Sequence, residues 1–169
     1  DIDFYNNIDT NDRMEFLFFI VLQDFRTKKI KNDVMNSFKN YSYNMEKIYP
    51  FLAHIFSTNL SYNLHLDKSM KLILLENDTN ENFLTGDQPI LNTYSFLNKK
   101  ELEYNELEFY YPISPRLAIL ISDKIESNFI KIDDIEKVKE YNQMIINVSL
   151  EQIYALSEEQ MQKIQKEIQ

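Results

Sequence analysis

The chain contains a single glycine, Gly86, in 169 residues. Phosphate-cradling loops and dinucleotide fingerprints need several glycines, at points where the backbone approaches a phosphate closely or takes a positive φ. Neither can be built from this sequence. The absence of cysteine removes disulfides, thiolate zinc sites, iron–sulfur clusters and Cys nucleophiles together, and suits a reducing cytosol. The two histidines, His54 and His65, stand in no zinc-type HExxH spacing. His65-Leu66-Asp67 would place two ligands on one face of an extended segment, against the plainer reading of a surface or capped histidine. Nothing signals a Ser–His–Asp triad. The expectation is therefore no cofactor and no metal.

What remains is ordinary globular material. Apolar residues make up 44% of the chain, and 12 Phe and 11 Tyr with no Trp predict an aromatic-rich core in one domain. A formal charge of −9 counts against a broad nucleic-acid surface, which depends on Lys and Arg neutralising phosphates. Arg26, Lys28, Lys29 and Lys31 form one local basic group, read either as a patch or as solvation of a helix end. The longest apolar run, Phe16 to Leu22, is far short of the roughly 18 residues of a membrane span. No membrane association is expected, and a cytoplasmic location is. With no Met at position 1 and no leader, the chain reads as part of a longer protein. Abundant Asn, Ile and Lys suggest an AT-rich bacterial genome.

Residues 1–9 read as a connecting segment, 10–66 as helical, 67–132 as sheet and 133–169 as helical. Thr10 or Asn11 caps a first helix whose apolar positions, Met14, Phe16 to Leu22 and Phe25, nearly surround it, and it is expected to continue through Met35 to Phe38. Ser42 or Asn44 opens a second helix with Met45, Ile48, Leu52, Ile55, Phe56 and Leu60 at three- and four-residue spacing, which Pro50 should kink or restart. Met70 to Leu75 reads as a strand, Asn77 to Asn82 as a turn, and Asn82 to Thr85 as the return strand of a hairpin. Ile90 to Thr93 is a further short extended piece, followed by a loop around Asn98 to Lys100. Leu107 to Tyr111 and Arg116 to Ser122 read as strands, the second apolar on both faces and hence central. Glu101, Glu103, Glu106 and Glu108 read as a charged strand edge. Asp133 and Asp134 favour a helix start for Ile135 to Ile146, with a last helix or helix pair from Leu150. The fold class is α+β: two N-terminal helices, a mostly antiparallel sheet of about four to five strands, and C-terminal helices.

Two segments concentrate unusual residues. In Phe83-Leu84-Thr85-Gly86-Asp87-Gln88-Pro89, the lone glycine fits a positive-φ turn and Pro89 biases Gln88 away from helix, so Asp87 is held in a defined turn. Its carboxylate then either bonds local backbone N–H groups or serves as a ligand or base. In Tyr111-Pro112-Ile113-Ser114-Pro115-Arg116, two prolines present Ser114 and Arg116 from a stiff corner. A buried Arg116 would need a carboxylate partner, with Asp87 the candidate, or would bind an anion. Gln23 and Arg26 interrupt the first apolar helix, and Asn142 lies beside Tyr141 in a late one. Gln23, Arg26, Asp87, Ser114, Arg116 and Asn142 are thus the candidate polar cluster.

These motifs resemble a known family. Leu22-Gln23-x-x-Arg26-Thr27, the Phe83 to Pro89 segment, Tyr111 to Leu117 and Asn142 in a late helix are similar to the bacterial proteins grouped as domain of unknown function 4238. The family pattern has a Ser-Asp-Asn-Pro-like turn at Gly86-Asp87-Gln88-Pro89 and a Pro-Leu-Ser-Pro corner at Pro112 to Pro115. That keeps Asp87, Pro89, Ser114 and Pro115 in register and differs at Gly86. The resemblance implies that this chain corresponds to the later part of longer members, and it supplies no reaction. Two readings stay open. One is a binding or regulatory module that recognises a protein partner. The other is a hydrolase-like enzyme acting on a small anionic ligand, with Arg26 and Arg116 stabilising charge and Asp87 as base.

Overall fold

The computed structural model of the chain describes residues 10–41, 44–96 and 107–168. The connecting segment 1–9, the loop around Asn98 to Lys100, and Ser42, Glu101, Glu103 and Glu106 lie outside the described residues. The chain divides into two compact units, Asp1–Met70 and Lys71–Gln169.

The first unit is helical, with α1 (Thr10–Phe25), α2 (Lys28–Ser37) and α3 (Met45–Leu66). The expected continuation of α1 through Met35 is interrupted at Arg26 and Thr27. Thr27 Oγ1 donates to Asp24 O at 2.8 Å and accepts from Ile30 N at 3.4 Å. The hydroxyl thereby closes one helix and caps the next, giving three helices among the described residues where two were expected. Asn44 caps α3, as anticipated, by accepting from Lys47 N. α3 then runs as one helix through Pro50.

Helices α1 and α3 pack in opposite directions. The Arg13 guanidinium donates to Leu64 O and Met70 O at one end, and the Tyr49 hydroxyl donates to Phe25 O at the other. On α3 the small residues Ala53, Ser57 and Ser61 are buried at four-residue spacing. Both serine hydroxyls bond the carbonyl one turn back, at 2.6 Å, so this ridge is polar-satisfied and narrow. The apolar side of α1, with Leu17, Ile20 and Val21, is fully buried.

The second unit is built on a five-stranded sheet in the order β3-β4-β5-β1-β6, with β1 (Lys71–Asn77), β3 (Leu91–Asn92), β4 (Phe109–Pro112), β5 (Leu117–Ser122) and β6 (Phe129–Ile132). β5 holds the middle position and buries Ala118 to Ser122 on both faces, as its unbroken apolar run predicts. It pairs antiparallel with β4 and with β1, where Ile73 faces Leu120. β6 runs parallel to β1, the one parallel pairing of the sheet among the described residues.

The expected hairpin between Met70–Leu75 and Asn82–Thr85 does not form. Asn77 closes an Asx-type turn instead: its Oδ1 accepts from Thr79 N and Oγ1, and its Nδ2 donates to Glu81 O. The chain is thereby led away from the edge of β1, and β2 (Thr85–Gly86) pairs with β7 (Ile153–Tyr154) in a separate two-stranded sheet.

Asp134 caps α4 (Ile135–Val148) by accepting from Glu136 N. β7 separates α4 from α5 (Glu158–Ile168), so the C-terminal stretch is not continuous helix from Leu150. Val138, Tyr141 and Ile145 of α4 share one core with Ile73, Tyr110 and Leu120 of the sheet. Tyr110 and Tyr141 stack with centroids 4.2 Å apart, and Phe83 meets both edge-on. The aromatic-rich core predicted from composition is centred on this trio. Glu108 is not the exposed edge charge expected of it. Its carboxylate accepts from the hydroxyls of Thr93, at 2.8 Å, and Ser122, at 2.7 Å, and so ties β4 to its neighbours.

Candidate functional site

Four of the six candidate residues, Asp87, Ser114, Arg116 and Asn142, belong to the sheet unit, whereas Gln23 and Arg26 belong to the helical unit. Gln23 is half-buried in α1, and Arg26 is exposed just past its end.

Asn142 is buried in α4 and does the work of a missing strand partner. Its Oδ1 accepts from Leu84 N at 2.8 Å and its Nδ2 donates to Asn82 O at 2.8 Å. One amide therefore satisfies both a donor and an acceptor of a segment that lies in no ladder at that point. Gln160 of α5 reinforces the same stretch, donating to Asn82 O and Glu81 Oε1. Sequence reasoning missed Gln160. An amide on an otherwise apolar helical position, the signal that singled out Asn142, was available for it too.

Asp87 is half-buried and reaches the chain beyond α4. Its two carboxylate oxygens accept from Leu150 N and Glu151 N, each at 2.8 Å, and its own N–H donates to Gln152 O at 3.0 Å. This is the backbone-bonding alternative read from sequence, with partners 63 and 64 residues away rather than local. Charge-assisted bonds to two successive N–H groups fix the exit of α4 and so bring Ile153 and Gly86 into register as β7 and β2.

Gly86 has no positive φ. It does not sit in the positive-φ turn expected of it; glycine is required because a Cβ would lie 2.1 Å from Ser149 Oγ and 2.8 Å from Gln152 O. The same α4 exit that Asp87 holds presses against this point, and only a hydrogen leaves room.

Ser114 and Arg116 stay at the corner between β4 and β5. Ser114 Oγ accepts from Arg116 N and Leu117 N, at 3.2 and 2.9 Å. Arg116 is exposed, not buried as its place before an apolar strand suggested. Its guanidinium donates to Thr79 O. The anticipated Arg116–Asp87 pair is not formed, since each partner bonds backbone elsewhere.

Two surface features flank these residues. A cleft of about 740 Å³ over α4 and α5 is floored by Leu84, Asn142 and Ile164 and rimmed by charges of both signs, among them Glu136, Lys139 and Lys163. A smaller one, about 290 Å³, lies between the two sequence motifs and β7. Phe83, Leu84, Pro112, Pro115 and Ala155 make it apolar, Thr85, Ser114 and Tyr154 contribute hydroxyls, and among the described residues no charged side chain lines it. Ile113, Tyr154 and Leu156, which also line it, are exposed. Residues 154–156 went unnoticed in the sequence because their region read as helix.

Below the motifs, the Tyr110 hydroxyl is buried with no hydrogen-bond partner among the described residues, and burial pushes its pKa well above the usual tyrosine value. Tyr141 is pushed up as well, first by burial and then by the carboxylates of Glu108 and Glu140. Both phenols are neutral core groups at physiological pH. Among the described residues no three His, Asp or Glu side chains gather as a metal site. Among the same residues, no helix is long and apolar enough to cross a membrane.

A family model described as protein of unknown function (DUF4238) matches residues 5–159. The chain belongs to this family. The match spans the helical unit, both motif segments and α4, and it lends no support to placing the chain as the later part of a longer member. No curated protein and no solved structure matches the chain. Family membership attaches no reaction to the chain.

Proposed function

We propose that this family member is a binding module, acting in the cytosol, whose apolar cleft between Phe83–Thr85, Pro112–Pro115 and Tyr154–Leu156 takes an apolar side chain from a segment of a protein partner. The observation that carries the reading is the apolar lining, which holds no charged side chain among the described residues, together with the exposure of Ile113, Tyr154 and Leu156 around it. At about 290 Å³ the cleft is at the small end for a small-molecule site and suits one or two side chains. Exposed apolar groups gathered around an apolar depression are the usual anchor of a protein contact.

The hydrolase-like alternative needs a positive group facing an anion. Arg116 does not line the cleft and bonds Thr79 O, and Asp87 is held by three backbone groups. The zero-cysteine composition is what supports the cytosolic assignment.

The test is selection of short displayed peptides on the parent chain, followed by titration of the enriched peptides against Leu156→Asp. The proposal predicts peptides with an apolar anchor whose affinity falls at least about tenfold in the variant, the loss typical of one buried anchor. Peptides that bind both proteins alike, or no enrichment, would overturn it. So would a phosphate- or carboxylate-bearing compound that stabilises the parent and fails to stabilise Arg116→Gln, which would favour the enzyme.

A further inference from the structure

We propose that the outer face of α3 is the seam of a homodimer, in which two copies of the helix pair antiparallel about a two-fold axis passing between Thr58 and Asn59. The inner face of α3 carries the Ala53–Ser57–Ser61 ridge and is buried. On its outer face Phe51, Ile55, Tyr62 and Leu66 are 72%, 51%, 53% and 56% exposed. With Thr58 they recur every three or four residues, and so form one stripe along the helix.

Composition sets this face apart from a solvated one. Residues 48–66 contain no Asp, Glu, Lys or Arg, in a chain of which 27% is charged. The exposed side of α4 shows what solvation looks like in this protein: Glu136 pairs with Lys139 at 2.7 Å and Lys137 with Glu140 at 2.9 Å. A long apolar stripe without a single charge is a covered surface.

The spacing says what covers it. Phe51 to Ile55 is four residues, Tyr62 to Leu66 is four, and Thr58 and Asn59 lie midway between the two pairs. Turning a second α3 end for end about that midpoint sets Phe51 against Leu66 of the partner subunit and Ile55 against Tyr62 of the partner subunit. Each contact occurs twice, as an isologous interface requires. The small polar Thr58 and Asn59 fall at the crossing, each beside its own counterpart, where large side chains would hold the helices apart. Charge points the same way. Two copies at −9 each repel, and they approach at least cost where the surface carries no charge. From Phe51 to Leu66 the stripe is about 22 Å long, at the small end for a specific interface, so the dissociation constant is expected in the range of about 1 to 100 µM.

Because the chain has no cysteine, the axis can be located chemically. Sedimentation velocity of the parent over about 1 to 200 µM should show a monomer–dimer equilibrium, and Ile55→Asp should remain monomeric with an unchanged circular dichroism melt. Under mild oxidation Thr58→Cys should give a covalent dimer, whereas Asn36→Cys, exposed on α2 of the same unit, should not. A parent that stays monomeric throughout, or a dimer in which Thr58→Cys links no faster than Asn36→Cys, overturns the proposal. If Ile55→Asp does not fold, the cysteine pair decides alone.

Discussion

The Phe83–Pro89 segment and the Tyr111–Arg116 corner look alike in sequence, each a proline-stiffened stretch presenting polar side chains, yet the structure uses them in opposite ways. The corner closes on itself. Ser114 Oγ bonds Arg116 N and Leu117 N, and the N–H groups of Ile113 and Ser114 bond Leu117 O. The other segment is held from far along the chain, by Asn142 at Leu84 and Asn82 and by the Leu150–Gln152 backbone at Asp87. Phe83 N donating to Pro115 O, at 3.0 Å, joins the two. A stiff turn with an exposed-looking carboxylate is therefore no guide to a ligand site, because the decisive partner is another part of the chain.

Removing the long-range ties should have the larger effects. Asn142→Leu keeps the branched shape of the side chain but leaves the buried Leu84 N–H without an acceptor, while Asn82 O keeps Gln160 as its donor. We expect a loss of roughly 3 kcal/mol in urea unfolding. A loss below about 1 kcal/mol would mean that the segment is held mainly by packing of Phe83. Gly86→Ala comes next, with a cost of about 2 kcal/mol, because its Cβ meets Ser149 Oγ and Gln152 O. Adding Ser149→Gly removes the nearer obstacle and leaves the carbonyl, so the double variant should recover part of the loss and not all of it. Full recovery, or no loss in the single variant, would show that close approach is not the reason for glycine here.

The parts of the fold that were legible in the sequence are those decided locally. Continuous burial of β5 follows from Leu117 to Ile121 being apolar on both faces, and the starts of α3 and α4 follow from Asn44 and Asp134. What was misread depended on distant partners. Asn82–Thr85 has strand-like residues, but its acceptors are on α4 and β7, so it joins no hairpin. β6 was missed because Phe129-Ile130-Lys131-Ile132 is short and carries a lysine; its place is set by parallel pairing with β1, far back in the chain, not by its own pattern. The break at Thr27 hinges on one hydroxyl that both ends α1 and caps α2. In the candidate site, Asp87 and Asn142 were recognisable as polar residues under constraint, and their partners were not, because a sequence does not show which backbone groups lack partners.

The most direct test of the claim that Asp87 is a clamp is amide hydrogen exchange of Asp87→Asn, with Ser114→Ala measured beside it. The structure predicts that Asp87→Asn speeds exchange at Leu150 and Glu151, more than 60 residues from the substitution, for a stability cost of about 1 kcal/mol. Ser114→Ala should change only Arg116 and Leu117. Unchanged exchange at Leu150 and Glu151 in Asp87→Asn would contradict the account and return the carboxylate to the list of groups free to meet a ligand.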